Sequence, residues 1–277
     1  MMLVNGLPQA EISLRDRALN YGDGVFETMR LQHGNPILFQ QHMQRLALGC
    51  DRLGLGCDFT VLQEELDSLQ PQFPRAGILK IIVSRGQGGR AYRPAQQMQA
   101  TRIITLHDLP DYAAFDQSAG VSVFVCQHRL SEQPDLAGIK HLNRLDQVMA
   151  SREWPDERYF EGLMCDQQGN VIEGTRSNLF FAEAGRLYTP AIRSCGIAGI
   201  LRDYLLEKLG SEIALDGELP LPRLLQADEV FLCNSVMGVW PVRHLQLGNT
   251  EQNFTPGKWT EKAGAIFDAL LEPDAVS

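Results

Sequence analysis

A lysine and a glutamate stand in this chain where imine chemistry could be assembled. Lys140 lies in Ala137-Gly138-Ile139-Lys140-His141-Leu142-Asn143-Arg144-Leu145. Glu173 lies in Val171-Ile172-Glu173-Gly174-Thr175-Arg176-Ser177-Asn178-Leu179-Phe180. A lysine amine can hold an aldehyde as a Schiff base, and a carboxylate can keep a heterocyclic nitrogen protonated so that its ring draws electrons from an attached group. Small and apolar neighbours surround Lys140. Burial among them lowers an ammonium pKa and yields the free amine that imine formation requires. Lys80, in Ile78-Leu79-Lys80-Ile81-Ile82-Val83, competes for the role: strand alternation places it on a face with Ile78, Ile82 and Ser84. Glu173 ends an apolar strand and is either an edge carboxylate facing water or the partner of that nitrogen.

Three segments are suited to an anion. Gly196-Ile197-Ala198-Gly199-Ile200 opens a helical stretch, where free N–H groups and the positive dipole end attract negative charge. Asn234-Ser235-Val236-Met237-Gly238 offers a hydroxyl and loop amides after a strand. Arg45, on an amphipathic helix, adds a cation. Turn chemistry or a solvated helix face explains each of these equally well when taken singly.

The elements that must position these groups alternate irregularly. Asn5-Gly6 signals a hairpin between Leu3-Val4 and Ala10-Glu11-Ile12. Strands are expected over 25–31, 77–84, 102–106, 121–126 and 229–233, and hairpins turn near Gly169 and Gly185. Helices are expected over 39–53, 61–69, 142–151, 197–209 and 257–271. Without a regular βαβ rhythm the class is α+β rather than doubly wound, and Gly86-Gln87-Gly88-Gly89 opens no helix as a dinucleotide fingerprint would. The stretch 111–120 reads as a linker between an N-terminal domain, 1–110, and a larger C-terminal domain, 121–277, that carries Lys140.

With 277 residues, 44% hydrophobic and 21% charged, the composition is that of an ordinary globular protein. A net charge of −9 argues against nucleic acid or an anionic membrane as partner. Five lysines against twenty arginines still allow local anion binding, although composition bias also explains the excess. Six cysteines are scattered with no C-x-x-C, no His/Cys cluster has metal-ligand spacing, and no secretory signal or membrane-length apolar run is seen. The expectation is a cytoplasmic protein with reduced thiols and no metal.

Taken together, Tyr21-Gly22-Asp23-Gly24-Val25-Phe26-Glu27, His42-Met43-Gln44-Arg45-Leu46, Glu173 to Phe180 and Gly196-Ile197 resemble landmarks of the fold-type IV pyridoxal-phosphate (PLP) enzymes. That family includes branched-chain aminotransferases, D-amino-acid aminotransferases and aminodeoxychorismate lyases. The resemblance spans about Asn5 to Val239. It implies two α+β domains with PLP at their interface, and a homodimer. It also implies Lys140 as the Schiff-base lysine and Glu173 as the pyridine-nitrogen partner, with Arg45, Asn178, Ile197, Ala198 and Ser235 as further cofactor contacts. Lys140-His141-Leu142-Asn143-Arg144-Leu145, Ser84 to Tyr92, and Thr28 after Phe26-Glu27 resemble the lyase members most. The implied reaction is elimination of pyruvate from 4-amino-4-deoxychorismate to give 4-aminobenzoate, a step of folate biosynthesis. Lys140 and Thr28 would be catalytic, Thr28, Arg90 and Tyr92 would contact substrate, and Arg85 and Arg93 are secondary candidates for its carboxylates. Thr175-Arg176-Ser177-Asn178 is similar to the general aminotransferase signature, which keeps a D-amino-acid or branched-chain aminotransferase as the alternative.

Overall fold

A computed structural model describes residues 1–272; residues 273–277, assigned above to the second domain, lie outside the described residues. The described chain divides into two compact units, one comprising Met1–Pro110 with Ile139–Asn143, the other Asp111–Gly138 and residues 144–272.

The first unit is a sheet backed by two helices. Its elements are β1 (Met2–Val4), β2 (Leu7–Pro8), α1 (Arg17–Tyr21), β3 (Gly24–Gln32), β4 (Asn35–Pro36), α2 (Phe39–Leu53), α3 (Phe59–Leu69), β5 (Ala76–Ser84) and β6 (Thr101–His107). The strand order is β2-β1-β6-β5-β3-β4. Asn5-Gly6 turns as expected, both residues having positive φ, but the returning strand is Leu7–Pro8 rather than Ala10–Ile12. β3 and β5 pair antiparallel from Gly24↔Ser84 to Gln32↔Ala76. Alternation then divides the sheet. Val25, Met29, Leu31, Leu79, Ile81 and Val83 meet Leu46 of α2 and Leu62, Leu66 and Leu69 of α3 in one buried core. Phe26, Thr28, Arg30, Lys80 and Ile82 occupy the half-buried opposite face. Asp58 starts α3 two residues ahead of expectation, its carboxylate accepting from the Thr60 and Val61 amides.

The second unit is built on β7 (Val121–Arg129), α4 (Leu145–Ser151), β8 (Tyr159–Cys165), β9 (Val171–Gly174), β10 (Asn178–Glu183), β11 (Arg186–Pro190), α5 (Ile200–Leu209), β12 (Ile213–Asp216), α6 (Leu221–Leu224), β13 (Glu229–Asn234), β14 (Gly238–Leu247), β15 (Thr250–Asn253) and α7 (Lys258–Ala269). Strand order runs β12-β11-β10-β13-β14-β7-β8-β9, and β9 pairs back onto β10 through Asn178↔Glu173. Strands β10, β13, β14, β7, β8 and β9 therefore close into a ring. Closure leaves the ring itself without a free edge, β11–β12 and β15 extending from it, and encloses a core that includes Phe160, Leu163, Leu179, Leu232 and Trp240.

Four further boundaries differ from the sequence reading, each for a visible reason. The stretch 111–120 does not stand apart: Tyr112 and Phe115 pack on Phe160, and the Gln117 amide donates to Val239 O, so it joins the second unit's core. Ile139–Asn143, expected with the C-terminal domain, clusters with the first unit because it runs alongside β3, with Phe26 N donating to Lys140 O and Leu142 N to Gly24 O. Those bonds hold Leu142 against β3, so α4 begins at Leu145 rather than Leu142. Similarly α5 begins at Ile200, because the Ile197 and Ala198 amides are drawn to the Glu173 carboxylate and Gly138 O.

Candidate active site

In the first unit the site is organised around β3. The Lys140 Nζ lies 4.4 Å from the centroid of the Phe26 ring, and the Lys80 Nζ lies 5.6 Å from the same ring. Lys80 is also directly opposite Thr28 across the β3–β5 ladder. Both lysines of the sequence reading thus meet at one aromatic ring, with Thr28 on the same sheet face.

On the core face of the same strand, sequence reasoning gave Glu27 no role, although it is 1% exposed. Arg45 reaches it from α2 in a fork, Nε to Oε1 at 2.7 Å and Nη2 to Oε2 at 2.6 Å. His42, one turn earlier on α2, places Nδ1 2.6 Å from Glu27 Oε2. Burial pushes the Glu27 carboxyl up, but the Arg45 charge and the His42 and Arg45 hydrogen bonds outweigh it and hold the pKa at about 2. For His42, burial dominates and lowers the pKa; the Glu27 carboxylate opposes this, while Arg45 and Lys140 add to it. The imidazole is accordingly neutral at pH 7, its Nδ1–H donated to Glu27. A signal was available in the sequence: an acidic residue on the apolar face of a strand requires a cation, and His42 and Arg45 share a helix face.

The remaining first-unit candidates lie on the loop between β5 and β6, where Arg90 is exposed and Tyr92 is 84% exposed. Arg85 has a different occupation. Its Nε and Nη2 bind Asp23, and Nη1 and Nη2 donate to Gly54 O and Leu53 O, which fixes the base of the loop.

In the second unit Glu173 and Asn178 face each other across β9 and β10. Glu173 Oε2 accepts the Ile197 amide at 2.8 Å, and Oε1 lies 3.3 Å from Gln147 Nε2. Burial lowers the Arg144 guanidinium pKa, and the charges of Glu173 and Asp146 pull it back. The Asn178 amide donates to Ile197 O at 2.9 Å. Gly199, the cap of α5, leaves room for Asn178: a Cβ there would fall onto Asn178 Oδ1 and force that amide to shift. Ser235, 9% exposed, follows Asn234, whose Oδ1 accepts the Val236 and Met237 amides in an Asx turn.

The turn between Glu173 and Asn178 is held from below by Glu161, which is fully buried on β8. Its Oε1 accepts from Gly162 N, Thr175 N and Thr175 Oγ1, and its Oε2 from Arg176 N and Ser177 Oγ, at 2.6–3.3 Å. No local signal marks Glu161, because all but one of these donors arrive from a different strand turn.

These geometries gather an amine and a fixed guanidinium in one unit, and a carboxylate, an amide and helix-leading N–H groups in the other. Among the described residues no group of His, Cys, Asp and Glu is arranged to hold a metal, and no helix is long and apolar enough to cross a membrane.

Comparison with known proteins identifies the scaffold. The chain is 36% identical over 265 residues to an aminodeoxychorismate lyase of Vibrio harveyi, covering 95% of this chain and 97% of the relative. It is 28% identical over 277 residues to a D-alanine aminotransferase of Bacillus licheniformis, covering 96% and 94%. The crystal structure of 4-amino-4-deoxychorismate lyase from Pseudomonas aeruginosa superposes with a TM-score of 0.92 at 42% identity, covering 98% of this chain and 100% of that one. The family described as Amino-transferase class IV matches residues 24–245, from the start of β3 almost to the end of β14, and the chain belongs to that family.

Proposed function

We propose that this chain is a PLP-dependent lyase that eliminates pyruvate from 4-amino-4-deoxychorismate and releases 4-aminobenzoate. The supporting observation is the match over nearly the whole chain, at 42% identity and a TM-score of 0.92, to the Pseudomonas aeruginosa lyase. The donor set fits the cofactor. Arg45 presents a charge whose orientation Glu27 fixes, suited to a phosphate. Glu173 offers a carboxylate to a pyridine nitrogen, and Asn178 orders the segment leading into α5. Ile197, Ala198 and Ser235 are proposed as phosphate contacts; for the two amides this means exchanging their present partners, Glu173 and Gly138.

When bound, PLP supplies an electron sink for the pair left by a broken C–H bond. Lys140 would hold the cofactor aldehyde, and its free amine would remove the proton from the amine-bearing ring carbon of the substrate as general base. Cleavage of the adjacent C–O bond would expel the enolpyruvyl group, which takes up the proton held by the Lys140 ammonium, directly or relayed through the Thr28 hydroxyl, and leaves as pyruvate. The ring becomes aromatic, which makes the elimination strongly downhill. Arg90 holds a substrate carboxylate through its fork, and Tyr92 flanks it.

We also propose a cytoplasmic homodimer. Six unpaired cysteines suit a reducing compartment. Leu145, Val148 and Met149 leave one face of α4 exposed and apolar, as a self-association surface would. Sedimentation at micromolar concentration tests the dimer, and a monomer would refute it.

The deciding experiment incubates PLP-loaded protein with enzymatically made 4-amino-4-deoxychorismate and measures pyruvate and 4-aminobenzoate in equal amounts. Lys140→Ala should abolish both products and the absorbance of lysine-bound cofactor, and borohydride should label Lys140. Labelling of Lys80 would overturn the lysine assignment. Pyridoxamine absorbance after D-alanine or leucine, without aminobenzoate from the lyase substrate, would establish an aminotransferase instead.

A further inference from the structure

The loop that carries Arg90 and Tyr92 is exposed at its tip yet is fastened by a buried cation. Arg17, the first residue of α1, is 5% exposed. Its Nη1 donates to Ala91 O at 2.9 Å and its Nη2 to Tyr92 O at 3.0 Å, while Nε is fixed on Asp23 Oδ2 at 2.7 Å. The guanidinium carbon sits 4.6 Å from the centroid of the Tyr21 ring, and that ring meets Tyr92 edge-on at 5.6 Å. Main-chain bonds complete the attachment: Arg17 N donates to Gly86 O, and Arg90 and Arg93 exchange amide bonds around the tip. Within that tip Ala91 adopts φ +51°, a left-handed conformation that a non-glycine residue holds only when its surroundings enforce it. The base of the clamp is equally fixed. Asp16, 1% exposed, caps α1 and accepts from Ser84 on β5 and Thr101 on β6, the two strands the loop joins.

A planar fork directed at two successive carbonyls sets both the position and the tilt of the peptide it grips, which a point charge would not do. We propose that Arg17 is a positioning residue for substrate recognition: it holds the 90–93 turn in one arrangement, so that Arg90 and Tyr92 meet an anionic, dicarboxylate substrate without first ordering the loop. The proposal rests on the reading of this loop as substrate-binding. Preorganisation of this kind changes binding more than the chemical step, because the entropy of ordering falls on substrate capture.

The test uses full-length, PLP-loaded Arg17→Gln and Arg17→Lys. Both should raise KM for 4-amino-4-deoxychorismate roughly tenfold and leave kcat within about threefold, with cofactor absorbance and PLP affinity unchanged. Amide exchange at Arg90 and Arg93 should accelerate in both variants. Arg17→Lys is informative because lysine keeps the charge beside Asp23 but, as a single-atom donor, cannot hold Asp23 and both carbonyls from three separate, coplanar nitrogens. Restoration of wild-type KM by lysine overturns the clamp, as does an unchanged KM in Arg17→Gln when Arg90→Ala raises it. If neither Arg90→Ala nor Arg17→Gln moves KM although the loop amides loosen, the loop does not bind substrate, and the substrate role of Arg17 falls with that reading. Should the Arg17 variants fail to fold, the wild-type protein decides: Arg90 and Arg93 amides exchanging as fast as in an unstructured peptide, without substrate, would overturn the proposal.

Discussion

Glu27 and Glu161 are both buried glutamates on strands, and each underlies a candidate-site segment, but the protein satisfies them in opposite ways. Glu27 is met by cations or potential cations, a forked Arg45 and His42. Glu161 is met by neutral dipoles, main-chain N–H groups and two hydroxyls, with the Arg176 Nε no nearer than 3.8 Å. The difference follows what each must position. At Glu27 the useful object is the guanidinium itself, and the carboxylate sets the plane of a charge proposed to face phosphate. At Glu161 the useful object is the backbone turn 175–177, and a carboxylate accepting several donors from that turn fixes its shape. A charge pair therefore orients a side chain, whereas a carboxylate among dipoles moulds a main-chain bend.

Breaking the dipole cage should have the largest effect. Glu161→Ala leaves the Thr175 and Ser177 hydroxyls and the Gly162 and Arg176 N–H groups without this acceptor, at about 1–3 kcal/mol for each group left unsatisfied, while Thr175 N keeps Gly162 O. The sum is on the order of 5 kcal/mol, a melting-temperature loss of roughly 10–20 °C for a unit of this size. Calorimetry should show this loss in the transition of the second unit. A drop of under about 2 kcal/mol would mean that water replaces the carboxylate and that the turn does not depend on it.

Glu27→Gln removes only one of three charged or chargeable partners and leaves Arg45, 12% exposed, able to reach solvent. A loss of about 3 kcal/mol is expected, at the low end for stripping one member of a buried pair. The same residue predicts an acid limb. Its carboxyl titrates near 4.5 in the unfolded chain and at about 2 when folded. The folded-state pKa is the depressed one, so the stabilisation is fully present above pH 4.5 and drains away as pH falls toward about 2. The shift of about 2.5 units corresponds to roughly 3 kcal/mol. His42 contributes with the same sign: its pKa is lowered by burial, so stability also declines as pH falls below 6.5. Denaturant midpoints between pH 7 and 3 should decline steeply in wild type and distinctly less in Glu27→Gln. Parallel curves would show that Glu27 is not the group that titrates.

Much of this arrangement was legible before any coordinates. Strand and helix positions followed from alternation and helical spacing, and α2 falls on Phe39–Leu53 as expected because its apolar face repeats cleanly. Lys140, Glu173 and Arg45 were singled out as candidates from their segments. Hidden were the contacts that depend on distant pairing. Glu161 satisfies donors from the turn after β9, and the Ile197 and Ala198 amides leave the helix to serve Glu173 and Gly138. Local periodicity cannot register either, because the partners are adjacent only after β8, β9 and β10 have paired. Glu27 lies between these cases. Its place on an apolar strand face announced that a cation was needed, and only the register of α2 against β3 revealed that Arg45 and His42 both supply the answer.

The smallest expected effect sharpens the comparison most. Ser177→Ala deletes a single hydroxyl from the Glu161 cage, a 2.8 Å bond to Oε2, and leaves the other donors in place. If the load is shared among dipoles, the cost is about 1–2 kcal/mol, the price of one hydrogen bond to a charged acceptor. Thr175→Val should cost a similar amount, and the double variant should exceed the sum of the two, because each hydroxyl can partly cover for the other while Glu161 remains solvated by main-chain N–H groups. Chemical denaturation of the four proteins in the cycle measures this directly. An additive cycle would mean that the donors act independently and that Glu161 holds the turn no more cooperatively than Glu27 holds Arg45. A Ser177→Ala loss as large as that of Glu27→Gln would reverse the argument, placing the weight of the cage on one bond rather than on many.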